Sequence, residues 1–378
     1  MHYRTLDDIN VSGKCVLVRS DLNSEVRNRK VVPGERIGAS TITIKELQSK
    51  RARVVVIAHQ GRKGKSDFTD LKQHARLLNK FVHVRFVNDV IGKKALHAIK
   101  NLQAREVLLL DNVRFVKDEF SSRKDNKLVR VLAPLFDYYV NDAFSVCHRR
   151  HASIVGFPKV LSSCVGRLTE KELRSLDKLK MKDCLYILGG SKAEDNISLL
   201  EKEKVITCGI FGQLCLIAKK YNLGAQNKFL KKELKIVPTL RKNGVEGVVT
   251  PLDLAIKVNR RRQDLKVEEF PSRYEIFDIG PETQDIYAKI ILDAKKIFMK
   301  GTAGYCEEKQ FCKGTKIILE AIAASKAFSV LGGGHLSSAV KKLKINKNKF
   351  GYISLSGGAT AWYLAGKKLP GLEALRGN

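Results

Sequence analysis

Arginine, histidine, aspartate and asparagine recur at or just beyond the ends of four apolar runs in the first half of the chain. They are Arg19, Asp21 and Asn23 with KCVLVRS, His59 and Arg62 with ARVVVIAH, Asn112 and Arg114 with EVLLLDN, and Asn141, Asp142, His148 and Arg149 with DYYVNDA. A guanidinium binds an oxyanion through two parallel hydrogen bonds, while carboxylates and amides read hydroxyls. Gathered in one crevice, these side chains suit a small anion bearing carboxylate, phosphate and hydroxyl groups. In the second half the same positions are glycine-rich: Gly189-Gly190-Ser191-Lys192, Gly301 and Gly304 after Lys300, Gly332-Gly333-Gly334, and Ser356-Gly357-Gly358. Missing side chains let backbone amides approach a phosphate, and a helix N-terminus just beyond adds a favourable dipole. This half reads as a nucleotide cradle.

For such groups to converge, the runs must be neighbouring strands, because open α/β sheets bind ligands beyond the carboxyl ends of their strands. DCLYILG, KKIFMKG, KAFSVLGG and FGYISLSGG continue the series in the second half, each run being followed by a polar turn and a helix-period segment. The expected fold is α/β, with two doubly wound parallel-sheet (Rossmann-like) domains joined by a hinge helix. The domains are placed at 1–165 and 181–355, with the connecting helix GRLTEKELRSLDKLK at 166–180 starting near Thr169 and Glu172 completing a capping box. The basic stretches 226–244 and 258–269 read as charged loop or helix surface. His59-Gln60-Gly61-Arg62-Lys63-Gly64-Lys65-Ser66 ends like a P-loop, but His59 stands where the opening glycine is required, so that reading is set aside.

The chain has 378 residues, enough for about two domains on a prior of roughly 150 residues each. Its 44% apolar and 29% charged residues exclude wholesale disorder. Seventy Lys and Arg against 39 Asp and Glu give a net charge of +31, which favours an anionic partner. The basic residues are scattered rather than gathered in a tail and aromatics are only 7%, so stacking on single-stranded nucleic acid is weakly supported. The eight cysteines form no C-x-x-C pair or metal-finger spacing, which argues against zinc and reads as a reduced set. MHYRTLDDIN has no apolar signal core and no run approaches a membrane span, so a cytoplasmic protein without membrane contact is expected.

The order of motifs resembles phosphoglycerate kinase, especially its archaeal branch. VLVRSDLN, ERIGASTITIKEL, VVVIAHQGR, LLLDNVRF, NDAFSVCHRRHAS, CVGRLTEKEL, YILGGSKAEDN, DIGPET, VLGGGHLSSAV, ISLSGGAT and KKLPGLEAL are collinear with that family over essentially the whole chain. The resemblance implies reversible phosphoryl transfer between 1,3-bisphosphoglycerate with ADP and 3-phosphoglycerate with ATP, in glycolysis and gluconeogenesis. It places Asp21, Asn23, Arg36, His59, Arg62, Arg114 and Arg149 on the phosphoglycerate. Arg36 would be the catalytic cation at the moving phosphoryl group, and Lys192 would meet the nucleotide phosphates. Gly189, Gly190, Gly301, Gly304, Gly332, Gly333, Gly334, Ser356, Gly357 and Gly358 would cradle the nucleotide, and Glu307 would bind its ribose. It further implies a monomer, Mg²⁺ entering as Mg-ATP or Mg-ADP, closure of the domains about the connecting helix, and return of segment 356–378 to the first domain.

Departures from the family's pattern cluster in the second half. Thr302 stands for a proline, Cys306 for an aromatic, Cys208 and Ser356 for glycines, Ser191 for an alanine and Asn196 for a second lysine, while Lys63 replaces a proline in the first half. His335 takes the place of an aspartate near the metal, and magnesium prefers hard oxygen ligands, so the metal's protein ligand is left unassigned. Two alternatives follow: a catalytically impaired relative that still binds phosphoglycerate, and a nucleic-acid-binding protein on the same fold. Turnover separates the first from a kinase, and salt-dependent nucleic-acid retention surviving Arg36→Ala would mark the second.

Overall fold

The computed structural model describes residues 3–123, 125–180 and 183–376. The chain forms two compact units, one running to Arg174 and resumed from Lys368, the other Ser175–Lys367. The division falls inside the helix Arg167–Asp177. Of the segment 356–378, residues up to 367 group with the second unit and those from 368 with the first.

The first unit is built on six parallel strands: β1 (Cys15–Ser20), β2 (Arg53–Ile57), β3 (Arg85–Val87), β4 (Val107–Leu110), β5 (Tyr138–Asp142) and β6 (Ser162–Val165). Their order is β3-β4-β2-β1-β5-β6, so the chain begins at the centre, winds to one edge and returns to complete the other. Buried valine and leucine of β1, β2 and β4 pack with Ile37, Ile44 and Leu47 of the helix Glu35–Ser49. Arg19 pairs with Ile57 on one side and Asn141 on the other, which brings the carboxyl ends of β1, β2 and β5 level.

The second unit carries five parallel strands: β7 (Cys184–Leu188), β8 (Lys204–Thr207), β12 (Lys296–Lys300), β13 (Phe328–Gly332) and β14 (Tyr352–Ser354), ordered β8-β7-β12-β13-β14. Between them runs an antiparallel sheet of β9 (Asp253–Val258), β10 (Arg261–Lys266) and β11 (Ile276–Ile279). The eight runs read from sequence are all strands; β3, β6, β8, β9 and β11 are strands without such a signal in the sequence. Segment 258–269, expected as loop or helix, contains the largely exposed strand β10, which carries its charge on the surface while its backbone pairs with β9. Among the described residues no helix is long and apolar enough to cross a membrane.

Several helix starts in this chain are capped by an aspartate outside the helix. The connecting helix begins at Arg167 rather than near Thr169, and no capping box forms there: the carboxylate of Asp142, at the end of β5, accepts from the amides of Leu168 (2.9 Å) and Thr169 (3.1 Å). Asp89 accepts from Gly92 and Ala95 at the start of helix Lys93–Lys100, and Asp278 from Gly314 in helix Lys313–Ala324. Asp253 accepts from Glu282 (2.9 Å) and Thr283 (2.8 Å) in helix Pro281–Leu292, and from the Thr283 hydroxyl (2.6 Å). The Asp253 carboxylate lies so close to Gly280 that a side chain there would have no room. Each aspartate satisfies orphan amides and places negative charge at the positive end of the helix dipole. Removing the buried Asp253 carboxylate strands these donors, so Asp253→Ala is expected to cost about 2 kcal/mol or more in denaturant unfolding, and Asp253→Asn less.

Candidate active site

In the first sheet the winding reverses between β1 and β5, and at such a switch point the loops leave a crevice beyond the carboxyl ends. Arg36 enters from the first turn of helix Glu35–Ser49, donating to the Asp21 carboxylate just past β1 and to Ser145 Oγ at 3.3 Å. His59, two residues past β2, is buried, and Arg19 Nη2 approaches its Nδ1 at 3.0 Å. A guanidinium only donates, so Nδ1 accepts and the ring proton sits on Nε2. Burial, then the nearby Arg19, Arg114, Arg149 and Arg36, push the His59 pKa well below its ordinary value, so the ring is neutral at pH 7. Arg114 is held by the Gly61 carbonyl; burial, then Arg149 and Arg19, lower its pKa to about 10, which leaves it cationic.

Thus Asp21, Arg36, His59, Arg62, Arg114 and Arg149 are drawn into one electrostatic cluster. Two of its buried polar atoms, Asp21 Oδ1 and Arg114 Nε, have no hydrogen-bond partner among the described residues. Buried polar atoms are nearly always partnered, and those that are not call for a ligand or water. Arg62 is exposed at the edge of the cluster, and Arg149 Nε contacts His148 Nε2 at 3.3 Å. Asn23 braces the neighbouring turn, accepting from the Gly61 amide at 2.8 Å.

Other strand-end residues named from sequence serve the framework. Asn112 donates to the carbonyls of Gln60 and Thr69 (both 2.8 Å), Asn141 accepts from the Ala143 amide, and Asp142 caps the connecting helix. The loop 59–66 does not lead into a helix at Lys65, as a P-loop would. Behind the cluster stands a network the sequence did not disclose: buried Arg19 donates to Ser153 Oγ (2.9 Å), which donates to buried Glu119 (2.7 Å). Glu119 lies beyond a strand end only by way of two short 3₁₀ turns, so position gave no signal for it.

In the second unit the glycine turns follow strand ends that are level, Lys300 pairing with Leu188 and Gly332, and Gly332 with Ser354. Gly189 donates to the Lys300 carbonyl (2.7 Å) and Gly190 to that of Thr302 (3.0 Å), which locks the first two turns together. Gly301 has φ +80° with its α-carbon against the Gly189 carbonyl, a position closed to any side chain. Gly333 precedes the helix Gly334–Lys342, and Gly357 the helix Gly358–Leu364. Buried Ser356 is fixed through its backbone, its amide donating to Ser354 Oγ (3.0 Å) and its carbonyl accepting from Thr360 Oγ1 (2.8 Å). Lys192 is exposed on the first turn.

Glu307 lies in an exposed loop after Gly304, its backbone and that of Cys306 held by Lys342 Nζ. Cys306 is bonded to Cys312, so this pair is oxidised rather than reduced as expected; the tight turn between them brings their Cα atoms to 4.3 Å. Free cysteines at 15, 147, 164, 184, 208 and 215 are buried. Among the described residues no three His, Cys, Asp or Glu gather to hold a metal ion, and His335 is exposed.

The family model described as phosphoglycerate kinase matches residues 6–367. The phosphoglycerate kinase of Methanothermus fervidus is 38% identical across 99% of this chain and 97% of its own length. That of Saccharolobus solfataricus is 39% identical across 98% and 96%. Among solved structures, phosphoglycerate kinase from Pyrococcus horikoshii OT3 superposes with a TM-score of 0.92 at 33% identity, covering 99% of this chain and 98% of that one. The enzyme from Coxiella burnetii gives 0.79 at 29% identity, covering 99% of each. With a level-ended cationic crevice in one unit, interlocked glycine turns in the other and these likenesses end to end, the chain belongs to the phosphoglycerate kinase family.

Proposed function

We propose that the chain performs its family's reaction, reversible phosphoryl transfer between 1,3-bisphosphoglycerate with ADP and 3-phosphoglycerate with ATP, with the cationic cluster as phosphoglycerate site and the glycine turns as nucleotide site. The observation that carries the site assignment is the convergence of guanidinium groups on a neutral, buried His59 beside two unpartnered polar atoms. Arg62, Arg114 and Arg149 would hold the phosphate and carboxylate oxygens, Arg36 would meet them chiefly in the transition state, His59 Nε2–H would donate to one of them, and Asp21 Oδ1 would accept from the glycerate hydroxyl. Asn23 keeps the His59–Arg62 turn in place.

A loose, in-line transfer needs positioning and positive charge at the equatorial oxygens and no covalent nucleophile. Arg36 supplies that charge from the acceptor side, poised by Asp21, and Lys192 from the nucleotide side. Acceptor and donor are assigned to different units, so the reaction calls for closure about the helix Arg167–Asp177, which also excludes water. Mg²⁺ enters as part of Mg-ATP or Mg-ADP, with phosphates and water as its ligands, since His335 is a poor ligand for it. The partners are these small molecules acting on a monomer in the cytoplasm.

In a coupled assay with Mg-ATP and 3-phosphoglycerate, Arg36→Ala should lower kcat by about 10³-fold, as loss of an arginine finger does, while the KM for 3-phosphoglycerate moves by less than about threefold. A large rise in that KM with kcat intact would instead make Arg36 a binding residue. Lys192→Ala should act on kcat and the Mg-ATP KM alone. A further expectation concerns pH. With its folded pKa depressed, His59 stays neutral as pH falls from 8 through 6.5, and its protonation below that favours the unfolded chain. NMR of the ring should show no titration near the ordinary value of about 6.5, and a midpoint there would contradict the cluster's electrostatics.

A further inference from the structure

The second unit holds a buried cation that the reaction as described does not use. Lys300 ends β12, the central strand of the sheet, at the switch point where the winding turns from β7 to β12. Its side chain is 6% exposed. The ammonium donates to Asn196 Oδ1 at 2.9 Å, lies 3.5 Å from the Lys192 carbonyl, and stands 3.6 Å from Asp195 Oδ2. Asn196, fully buried, donates in turn to the Gly189 carbonyl at 3.1 Å, which ties the ammonium to the first glycine turn. The fourth turn closes over the same spot: a side chain begun at Gly357 would meet Lys300 Cε at 3.7 Å, and one begun at Gly358 would meet the Asp195 carboxylate at 3.2 Å.

An ammonium carries three N–H donors, and here one is well used. A second reaches a carbonyl at the limit of hydrogen-bonding distance, and the carboxylate is beyond it. Burying a lysine without full pairing is costly, and packing alone would be served better by an apolar side chain. We propose that Lys300 is a second phosphate-binding cation of the nucleotide site, seated beneath the glycine turns by Asn196, with Asp195 standing in for the anion until a nucleotide arrives. On entry, phosphate oxygens take the N–H groups that Lys192's carbonyl and Asp195 hold poorly. The charge missing at Asn196, where the family pattern has a lysine, is thereby delivered to the same place from the end of β12. Burial, opposed by Asp195, lowers the Lys300 pKa, and a bound phosphate would hold the ammonium charged.

This proposal rests on the glycine turns being the nucleotide site, and the test separates the two. Mg-ADP binding by titration calorimetry, thermal midpoint, and kinetics with Mg-ATP and 3-phosphoglycerate are measured for the wild type, Lys300→Met, Lys300→Gln and Lys192→Ala. The proposal expects both Lys300 variants to bind Mg-ADP at least about tenfold more weakly, as for a lost charge-assisted hydrogen bond. Their KM for 3-phosphoglycerate should be unchanged and their thermal midpoint equal to the wild type's or higher. Adding Asn196→Lys to Lys300→Met should recover nucleotide affinity, which a purely structural lysine would not allow. If Lys192→Ala weakens Mg-ADP while both Lys300 variants bind like the wild type, the proposal fails alone. It also fails if affinity falls only in step with the thermal midpoint. If none of the three variants changes Mg-ADP affinity, the nucleotide-site reading itself falls.

Discussion

Holding several guanidinium groups together in a half-buried crevice is the constraint on which the first unit turns. Two like charges about 6 Å apart repel by about 3 kcal/mol at an effective dielectric of 20. The chain answers with a limited set of opposing groups: Asp21 on Arg36, and Glu119 reaching Arg19 through Ser153. His59 contributes by remaining neutral, so that it offers a hydrogen bond without adding a further cation. Compensation is incomplete, as the unpartnered Asp21 Oδ1 and Arg114 Nε show. In the proposed site an anionic substrate would relieve what the protein leaves uncompensated, which would make the site both tense and specific.

The nucleotide site proposed for the second unit is built in the opposite manner. Backbone replaces side chain at the strand ends, because interlocked turns such as Gly189 with Lys300 and Gly190 with Thr302 leave little space for anything else. The substitutions Thr302, Cys208 and Ser356 are accommodated through their backbones: Thr302 and Ser356 accept hydrogen bonds, and the Cys208 amide donates to the Leu188 carbonyl at 2.9 Å. Each unit has a helix capped by an aspartate distant from it in sequence. Asp142 does this from the parallel sheet of the first unit and Asp253 from the antiparallel sheet of the second, so these helix starts are fixed by strands distant in sequence.

The sequence was legible where side-chain type and strand period coincide. Central strands such as KCVLVRS and KKIFMKG are unbroken apolar runs because both faces of a parallel strand are buried. Short edge strands lacked that signature: β3 is three residues long and β8 begins on an exposed lysine. Strand β10, RRQDLK, is polar at nearly every position since its pairing is backbone to backbone. At the sites, Asp21, His59 and Arg114 were visible from their places after strands, whereas Arg36, on a helix start, came only with the family resemblance. Asn141 and Asp142 sat in equally suggestive places and proved to be framework, because a strand-end carboxylate or amide serves a neighbouring amide as readily as a ligand. The Asn196–Lys300 contact joins positions 104 apart in the chain, a relation no local spacing can reveal.

The central claim is that the cationic cluster is a built site for one phosphorylated hydroxy acid and not merely the densest part of a surface with +31 net charge. Titration calorimetry of 3-phosphoglycerate, with inorganic phosphate and 2-phosphoglycerate as comparisons and at two salt concentrations, tests it most directly. The account predicts one 3-phosphoglycerate per chain, bound at least about tenfold tighter than either comparison anion at both salt concentrations. Several weak equivalents of each anion, indistinguishable in affinity and lost together as salt rises, would contradict it.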